Sequence, residues 1–370
     1  MNNKIKIGIT INLDVSPFSN GLQQNIIFLH QLLDSIENVN SYLLSNGDIQ
    51  KYKFIKESSF ISLKEVLNGN NLEFDLIILM GITFNQINID NLKQKNPKIK
   101  FVLMQCGNQV SHDIENSIYR NKLKTLIPPI RRLDAIWTLP QHDLNQQYVR
   151  NYFKCEKVIE VPYIWNEFFI QHQLKNENIN SEDIIFKKIN NIVILEPNLT
   201  YQKNCLIPIF IAEEFERKYP KKIHSCNVIG GKTIKQNEYL ISIIMNLDIY
   251  KKRNDYIQFH SRKPFLNAVT NYGSIIISHQ IQNNLNYLYF DALYLNLPLI
   301  HNSERISEFG YFYNNHNITE AALLLEKSLE DHKNNLNYYK LNSEKLFLKH
   351  SIKNHINIKT YMEIIESIIY

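Results

Sequence analysis

The sequence predicts an α/β protein built from two Rossmann-like, doubly wound parallel sheets in succession. Three observations support this fold class. Short and nearly continuous apolar runs alternate with amphipathic segments, as in parallel strands that are buried on both faces with helices between them. A polar run over residues 166–188 interrupts this alternation once. The length of 370 residues is typical of two domains.

The first series of elements occupies residues 1–165, where an amphipathic stretch such as residues 20–33 follows a strand-like run. The strand-like runs are residues 4–11, 42–45, 74–81, 98–107, 133–139 and 156–162. Since each run is nearly continuous in apolar residues, we expect these strands to lie inside a parallel sheet. The lysines within the first run, together with the absence of a small-residue cleavage site, favour a strand over a signal peptide.

The second series occupies residues 189–340, after a predicted linker at 166–188. Its strand-like runs are residues 190–197, 222–231, 255–260, 273–279 and 297–302, and its helix-like segments are 203–219, 233–247, 285–295 and 319–335. Residues 341–370 form an amphipathic pattern, which we expect to be a C-terminal helix that returns to the first domain. Ligands of such sheets bind beyond the carboxyl ends of the strands, so a cleft between the two halves is the expected site.

Composition and charge restrict the possible functions. The 41 basic and 36 acidic residues leave a net charge of +5, which suits an anionic ligand and is too small for a dedicated nucleic-acid-binding protein. The 4 cysteines have no zinc-site spacing, so we expect no metal and a reduced, cytoplasmic chain. No apolar run reaches the length of a membrane span. Lys345, Lys349 and Lys353 form either a solvated helix face or a peripheral contact with the inner face of the membrane.

Several common catalytic motifs are missing from the sequence. It contains no D-x-D pair, no G-x-x-x-x-G-K-[ST] loop and no G-x-G-x-x-G fingerprint, nor an H-E-x-x-H or G-x-S-x-G motif. These absences weigh against a P-loop NTPase, a dehydrogenase, a zinc protease and a serine hydrolase.

The segment from Glu196 to Glu214 carries the clearest sign of a phosphate site. A strand ends there, a short polar loop with Asn198 follows, and Lys203 stands at the predicted helix start. A lysine at that position adds its charge to the positive end of the helix dipole and to exposed amides, which suits a diphosphate. Gly230 and Gly231 follow the next strand, where a backbone can approach a phosphate closely.

Residues 278–302 resemble the donor-binding half of GT-B glycosyltransferases, with Asp291-Ala292 and the later LPLI segment matching that family's helix exit. Asn283 stands eight positions before Asp291, where the family has an acid. Lys203 and the two glycines match the phosphate elements of the same half, and Asn198 takes the place of an arginine. The donor-binding residues that this resemblance implies are Asn198, Lys203, Gly230, Gly231, His279, Asn283, Asn286 and Asp291.

More narrowly, the chain resembles a bacterial family of unknown function that is assigned to the glycosyltransferases by fold. The segments that carry this resemblance are SNGLQQNIIFLHQLL, MQCGN, IWTLPQHD, LEPNL and ALYLNLPLIHNS. The resemblance implies transfer of a sugar from a UDP or GDP sugar to a glycan, lipid-linked or protein acceptor, without a metal. Bacterial surface polysaccharide biosynthesis is the implied setting. The alternatives are a sugar-nucleotide epimerase of the same architecture and a non-catalytic binding or partner subunit.

Such a transfer also requires a group that accepts the proton of the acceptor hydroxyl. His112 and Asp113 follow a strand of the first half and are the candidate general bases. The alternatives are a surface histidine without a role and an aspartate that caps a helix. Trp137 either stacks on a sugar or belongs to the core. The candidate acceptor or cleft residues are Asn20, Gly21, Gly107, Asn108, Trp137, Gln141 and His142.

Overall fold

A computed structural model of the chain describes residues 4–70, 73–119, 130–185 and 187–370. The chain divides into two compact units. The first unit runs to Asn166 and also contains His350–Tyr370, and the second unit is Glu167–Lys349.

The first unit contains a seven-stranded parallel sheet with the order β3-β2-β1-β4-β5-β6-β7. Its strands are β1 (Ile5–Asn12), β2 (Val39–Asn46), β3 (Phe60–Ser62), β4 (Leu76–Leu79), β5 (Lys100–Gln105), β6 (Ala135–Thr138) and β7 (Val158–Glu160). The helices between them are α1 (Gly21–Asp34), α2 (Leu63–Asn68), α3 (Gln86–Lys95), α4 (Gln109–Tyr119) and α5 (Gln146–Phe153). Because β1 neighbours both β2 and β4, the chain reverses its direction of winding at β1.

The second unit repeats this plan with a six-stranded parallel sheet of order β10-β9-β8-β11-β12-β13. Its strands are β8 (Asn191–Ile194), β9 (Ser225–Ile229), β10 (Ile257–His260), β11 (Ile275–Ser278), β12 (Leu299–His301) and β13 (Tyr311–Phe312). Its helices are α6 (Phe168–Glu177), α7 (Ser181–Ile185), α8 (Leu206–Lys218), α9 (Glu238–Met245), α10 (Asp248–Lys252), α11 (Phe265–Asn271), α12 (Tyr287–Tyr294), α13 (Ile318–Asp331) and α14 (Leu336–His350). The last helix of the chain is α15 (His355–Ile369).

Each sheet is buried by apolar residues on its helices. In the second unit, Ile209, Ala212 and Phe215 lie on one face of α8 and join the core beneath the sheet. Their spacing of three residues places them on the same side of the helix. Complete burial of a side chain such as Phe215 contributes about 2 kcal/mol to folding. The two sheets and their helices confirm the predicted fold class.

The segment predicted as a linker is largely helical. Helices α6 and α7 occupy most of residues 166–188, and Phe169, Ile170 and Ile184 are buried among their neighbours. Polar residues on the outer faces of these short helices give the segment its linker-like composition. Both helices belong to the second unit.

The C-terminal helix α15 packs on the first unit. The Tyr361 hydroxyl donates a hydrogen bond to the Pro162 carbonyl (2.9 Å), and the Tyr361 ring meets that of Trp137 edge to face. The predicted returning segment began at residue 341, whereas the returning part starts at His350. Lys345, Lys349 and Lys353 are exposed. Among the described helices, none is long and apolar enough to cross a membrane.

Candidate functional site

The second unit has a concentration of polar side chains where β8 and β11 end. These two strands are neighbours in the sheet, and the chain winds away from them in opposite directions. In open α/β sheets, ligands bind beyond the carboxyl ends of such a strand pair. Glu196 follows β8, and Ser278 closes β11. We call the polar residues after these two strands the β8–β11 site.

Glu196 lies at the centre of this site and is completely buried. Its carboxylate accepts hydrogen bonds from the Ser278 hydroxyl, the Gln280 side-chain amide (3.3 Å) and the backbone N–H of His279. Burial raises the pKa of the Glu196 carboxyl to about 7, against the opposing effects of these hydrogen bonds and of the Lys203 charge. Glu196 was not among the predicted site residues.

Lys203 lies in the loop after β8 rather than at a helix start, because α8 begins only at Leu206. Its backbone forms bridges with Thr200 and Gln280, which tie this loop to the exit of β11. The side chain is half-buried, and its ammonium has no hydrogen bond or ion pair within the described residues. Burial lowers the pKa of Lys203, the nearby charge of Glu196 raises it, and that of Arg262 lowers it further.

Arg262 is a second cation of this site that the sequence prediction missed. It follows β10 and is close enough to Lys203 for their charges to repel. Two cations held near each other favour an anion between or beside them. An arginine directly after a predicted strand, in the run SRKP, was the available signal.

Asn198 shapes the loop that carries Lys203. Its backbone has a positive φ of 56°, a conformation that asparagine tolerates better than most residues. Its side chain donates to the Glu196 carbonyl (2.7 Å) and accepts from the Cys205 N–H (2.8 Å) at the start of α8. Its backbone N–H donates to the Lys203 carbonyl (3.0 Å). Asn198 therefore uses these polar groups within the loop, and the phosphate contact stays a prediction.

The loop after β11 is held by amide groups. Gln280 exchanges two backbone-to-side-chain hydrogen bonds with Asn302, each 2.9 Å long. The side-chain N–H₂ of Asn283 donates to the Gln280 side-chain oxygen and to the Leu285 carbonyl (3.4 Å). Asn283 is buried beside the Glu196 network, and its role at a donor site stays a prediction.

The two other predicted residues of this region lie on α12. Asn286 caps the helix through its side-chain oxygen, which accepts from the Leu288 N–H (3.2 Å). Asp291 is buried on the same helix. The cap role fully explains why an asparagine precedes this helix.

His279 is buried and lies between two other rings. Its Nδ1 is 2.8 Å from the Tyr313 hydroxyl, and its ring is 4.7 Å from that of His316. Its Nε2 has no hydrogen-bond partner in the described part of the chain. Burial, aided by the His316 charge, lowers the pKa of His279 to about 4. The imidazole is therefore neutral at pH 7, and its Nε2 can form one hydrogen bond with a ligand.

Gly230 and Gly231 form a tight turn after β9. Gly230 has a φ of 86°, which a side chain would disfavour. A Cβ on Gly231 would lie only 2.6 Å from the Phe259 ring and 2.8 Å from Val228. Packing against β9 and β10 accounts for Gly231, and backbone conformation accounts for Gly230.

In the first unit, the predicted general bases lie on α4. The helix is capped by Asn108, whose side-chain oxygen accepts from the Ser111 N–H (3.0 Å). The alternative interpretation of Asp113 as a helix cap is therefore wrong, and its role as a general base stays a prediction. Asp113 instead accepts from the Gln109 amide and the Tyr148 hydroxyl, each at 2.8 Å. His112 is in contact with the Asn116 amide (3.0 Å) and lies 3.7 Å from Asp113.

The remaining acceptor candidates separate into three groups. Trp137 is completely buried within β6 and cannot stack on a sugar, so that prediction is wrong. Asn20 caps α1 through the Leu22 and Gln23 N–H groups, and Gly21 is the exposed first residue of that helix. Gly107, Gln141 and His142 lie at the ends of β5 and β6, where His142 Nε2 is 3.3 Å from the Cys106 carbonyl. In the residues that the structure describes, no cluster of histidines, cysteines and acids could hold a metal ion.

The two Rossmann-like parallel sheets with their flanking helices define the GT-B fold of glycosyltransferases. Within that fold class, the chain belongs to the protein family of unknown function DUF2827, whose model matches residues 7–365. No curated protein matches the chain in sequence.

Solved structures share the fold over nearly the whole chain. A glycosyltransferase from Rickettsia africae aligns with a TM-score of 0.57 at 13% identity and covers 99% of both chains. The N-terminal domain of trehalose-6-phosphate phosphatase from Candida albicans has a TM-score of 0.61 at 12% identity, over 100% of this chain and 97% of its own. Anabaena HepE in complex with UDP-glucose has a TM-score of 0.54 at 10% identity, over 97% of this chain and 100% of its own. At these identities, the similarity concerns the fold.

Proposed function

We propose that this protein is a glycosyltransferase that takes its sugar from a nucleoside diphosphate sugar bound at the β8–β11 site. One observation carries the proposal: Lys203 is half-buried at the switch point of the sheet, and its ammonium has no hydrogen bond or ion pair among the described residues. The charge of Glu196 attracts this ammonium, and the charge of Arg262 repels it. A cation placed in this way is stabilised by an anion. A diphosphate is the anion that we expect at this position of a GT-B fold.

The leaving diphosphate requires charge stabilisation during transfer. Lys203 and Arg262 supply it as positive charges, and the neutral His279 supplies a hydrogen bond through Nε2. This arrangement needs no metal. The Anabaena structure, which contains UDP-glucose, supports a UDP sugar as one candidate donor, and GDP sugars are the other.

Deprotonation of the acceptor hydroxyl is assigned to α4 of the first unit. Asp113 is held by two hydrogen bonds, which fix the orientation of its carboxylate beside His112. Either residue is suited to receive a proton from a hydroxyl. The proposed acceptor is a glycan, a lipid-linked glycan or a protein of the bacterial surface.

Calorimetric titration with UDP-glucose, UDP-N-acetylglucosamine and GDP-mannose tests the proposal. We expect at least one of these compounds to bind and to release its nucleoside diphosphate slowly in the presence of the protein. The absence of binding by any UDP, GDP or CMP sugar would contradict the proposed function. If NMR shows that the donor is converted to an epimer in the absence of an acceptor, the epimerase alternative is favoured.

A further inference from the structure

Three polar side chains, Glu196, Gln280 and Asn283, are linked by hydrogen bonds in the β8–β11 site, and we call them the relay. The Glu196 carboxylate receives the side-chain N–H₂ of Gln280 (3.3 Å), and the side-chain oxygen of Gln280 receives the N–H₂ of Asn283. The same N–H₂ group also donates to the Leu285 carbonyl (3.4 Å). All three side chains are at least nine-tenths buried, since Glu196 is 0%, Gln280 2% and Asn283 5% exposed.

The orientation of each amide in this chain follows from its first member. When the Glu196 carboxyl is ionised, as at pH 8, it only accepts hydrogen bonds, so Gln280 must turn its N–H₂ group toward it. Its oxygen then faces Asn283, which must in turn present N–H₂ to it. Both N–H bonds of Asn283 are thereby used, and its Oδ1 accepts no hydrogen bond from the described residues.

Further hydrogen bonds hold the backbone of Gln280 and the carboxylate of Glu196 in place. Asn302 fixes the backbone of Gln280 on both sides through two hydrogen bonds of 2.9 Å. The Ser278 hydroxyl and the His279 N–H hold the carboxylate of Glu196 in place. The direction in which the Asn283 oxygen is available is therefore set by a residue that does not itself reach the ligand.

We infer that Glu196 is a positioning residue: through Gln280 it fixes Asn283 as a hydrogen-bond acceptor for a hydroxyl group of the donor sugar. This inference rests on the proposed function, because it takes the ligand of the β8–β11 site to be a nucleoside diphosphate sugar. A hydroxyl is the donor that a sugar offers, and the free side-chain oxygen of Asn283 is an acceptor for it. The diphosphate itself is bound by Lys203 and does not depend on the relay.

The inference predicts a difference between two ligands. Binding of the sugar nucleotide depends on the relay, whereas binding of the nucleoside diphosphate alone does not. Glu196→Gln places an N–H₂ group where Gln280 needs an acceptor. The side-chain amide of Gln280 then turns its oxygen toward residue 196 and its N–H₂ group toward Asn283. The Asn283 amide turns in response, so that its own N–H₂ group faces the ligand. At pH 8, we expect the affinity for the sugar nucleotide to fall about tenfold relative to the affinity for the diphosphate, as for the loss of one hydrogen bond. The affinity for the diphosphate itself should not fall, because the substitution removes a negative charge near Lys203.

A double variant distinguishes positioning from a merely structural role. In Glu196→Gln with Asn283→Asp, the turned Gln280 donates to the new carboxylate, which again presents an acceptor oxygen to the sugar. We expect this double variant to recover most of the lost affinity, although each single variant is weakened. Such a recovery measures a direct coupling between the two positions. Circular dichroism and thermal melting confirm that each variant is folded.

The titration uses the full chain, with UDP-glucose, UDP-N-acetylglucosamine and GDP-mannose, and with UDP and GDP as the sugar-free probes. An unchanged ratio of sugar-nucleotide to diphosphate affinity in Glu196→Gln would overturn the relay and leave the proposed function intact. A parallel loss for both ligands without recovery in the double variant would also overturn it. If the wild-type protein binds none of the five probes, the proposed function and the relay both fail. If Glu196→Gln does not fold, Gln280→Met, which removes the middle of the relay, must give the same split between ligands.

Discussion

The hydroxyl of Ser278 donates a hydrogen bond to the carboxylate of Glu196, although the two residues are 82 positions apart in the chain. The bond joins the ends of β8 and β11, the strand pair at which the sheet of the second unit reverses its winding. Glu196 has no salt bridge among the described residues, so neutral donors satisfy a buried charge. Burying a charge in this way costs free energy of folding unless the hydrogen-bond donors are held in place.

The first prediction concerns the pH dependence of stability. Burial raises the pKa of folded Glu196 to about 7, above its ordinary value of 4.5. Between these values the folded state keeps a proton that the unfolded state has lost, so stability is greatest below about pH 4.5 and falls as the pH rises through 7. Glu196→Gln removes this dependence. The difference in the free energy of unfolding between Glu196→Gln and the wild type should therefore shift in favour of the variant by on the order of 1–3 kcal/mol between pH 5 and pH 8.

Urea denaturation at the two pH values measures this difference. Glu363→Gln, which changes an exposed carboxylate, is the matched control and should show no comparable shift. Parallel curves for the wild type and Glu196→Gln at both pH values would contradict a raised pKa.

The second prediction concerns Lys203. Its replacement by alanine should weaken the binding of a nucleoside diphosphate and of its sugar derivative equally, by about 10- to 100-fold, because a charge-assisted contact with the phosphates is lost. Calorimetry measures both affinities. The control is Lys359→Ala, on an exposed part of α15, which changes the net charge of the protein by the same amount and should leave both affinities unchanged. An unchanged affinity of Lys203→Ala would remove this residue from the site.

The third prediction concerns Trp137, which the structure places in the core. Trp137→Ala should lower the free energy of unfolding by about 3–5 kcal/mol, because it leaves a cavity beside Tyr361. Ile356→Ala, at a side chain that is 60% exposed, should change it by less than about 0.5 kcal/mol. Urea denaturation compares the two variants. A Trp137→Ala protein of wild-type stability with weaker sugar binding would restore the stacking interpretation.

The fourth prediction concerns proton transfer in the first unit. Asp113→Asn should lower the turnover rate at least about 100-fold and leave the donor affinity unchanged, since the proton comes from the acceptor and not from the donor. Release of the nucleoside diphosphate in the presence of acceptor measures the rate. Asp143→Asn alters an exposed aspartate and is the control. Full activity of Asp113→Asn would leave His112 as the remaining candidate base.

Most of the fold could be predicted from the sequence because buried parallel strands are apolar on both faces. The run that contains β8 and the run that contains β11 are clear examples. The edge strands β3 and β13 have only three and two residues, too few to form a pattern. The polar surfaces of α6 and α7 concealed their buried residues, such as Phe169 and Ile184.

The candidate site was less accessible to sequence reasoning. Lys203 stands out because it follows a strand, and this needs only local information. Glu196 stands in the same segment, but its importance depends on Ser278 and Gln280, which are 82 and 84 positions away. Trp137 was ambiguous because its role depends on Tyr361, which packs on it from the far end of the chain.

The contact of Tyr361 with Pro162 has a consequence for the order of folding. The two residues are 199 positions apart, and the whole second unit lies between them. During synthesis the second unit emerges from the ribosome as one continuous stretch, whereas the first must wait for its closing helix. The first unit therefore cannot complete its packing until α15 has been synthesised, and until then Trp137 lacks the aromatic contact that Tyr361 provides.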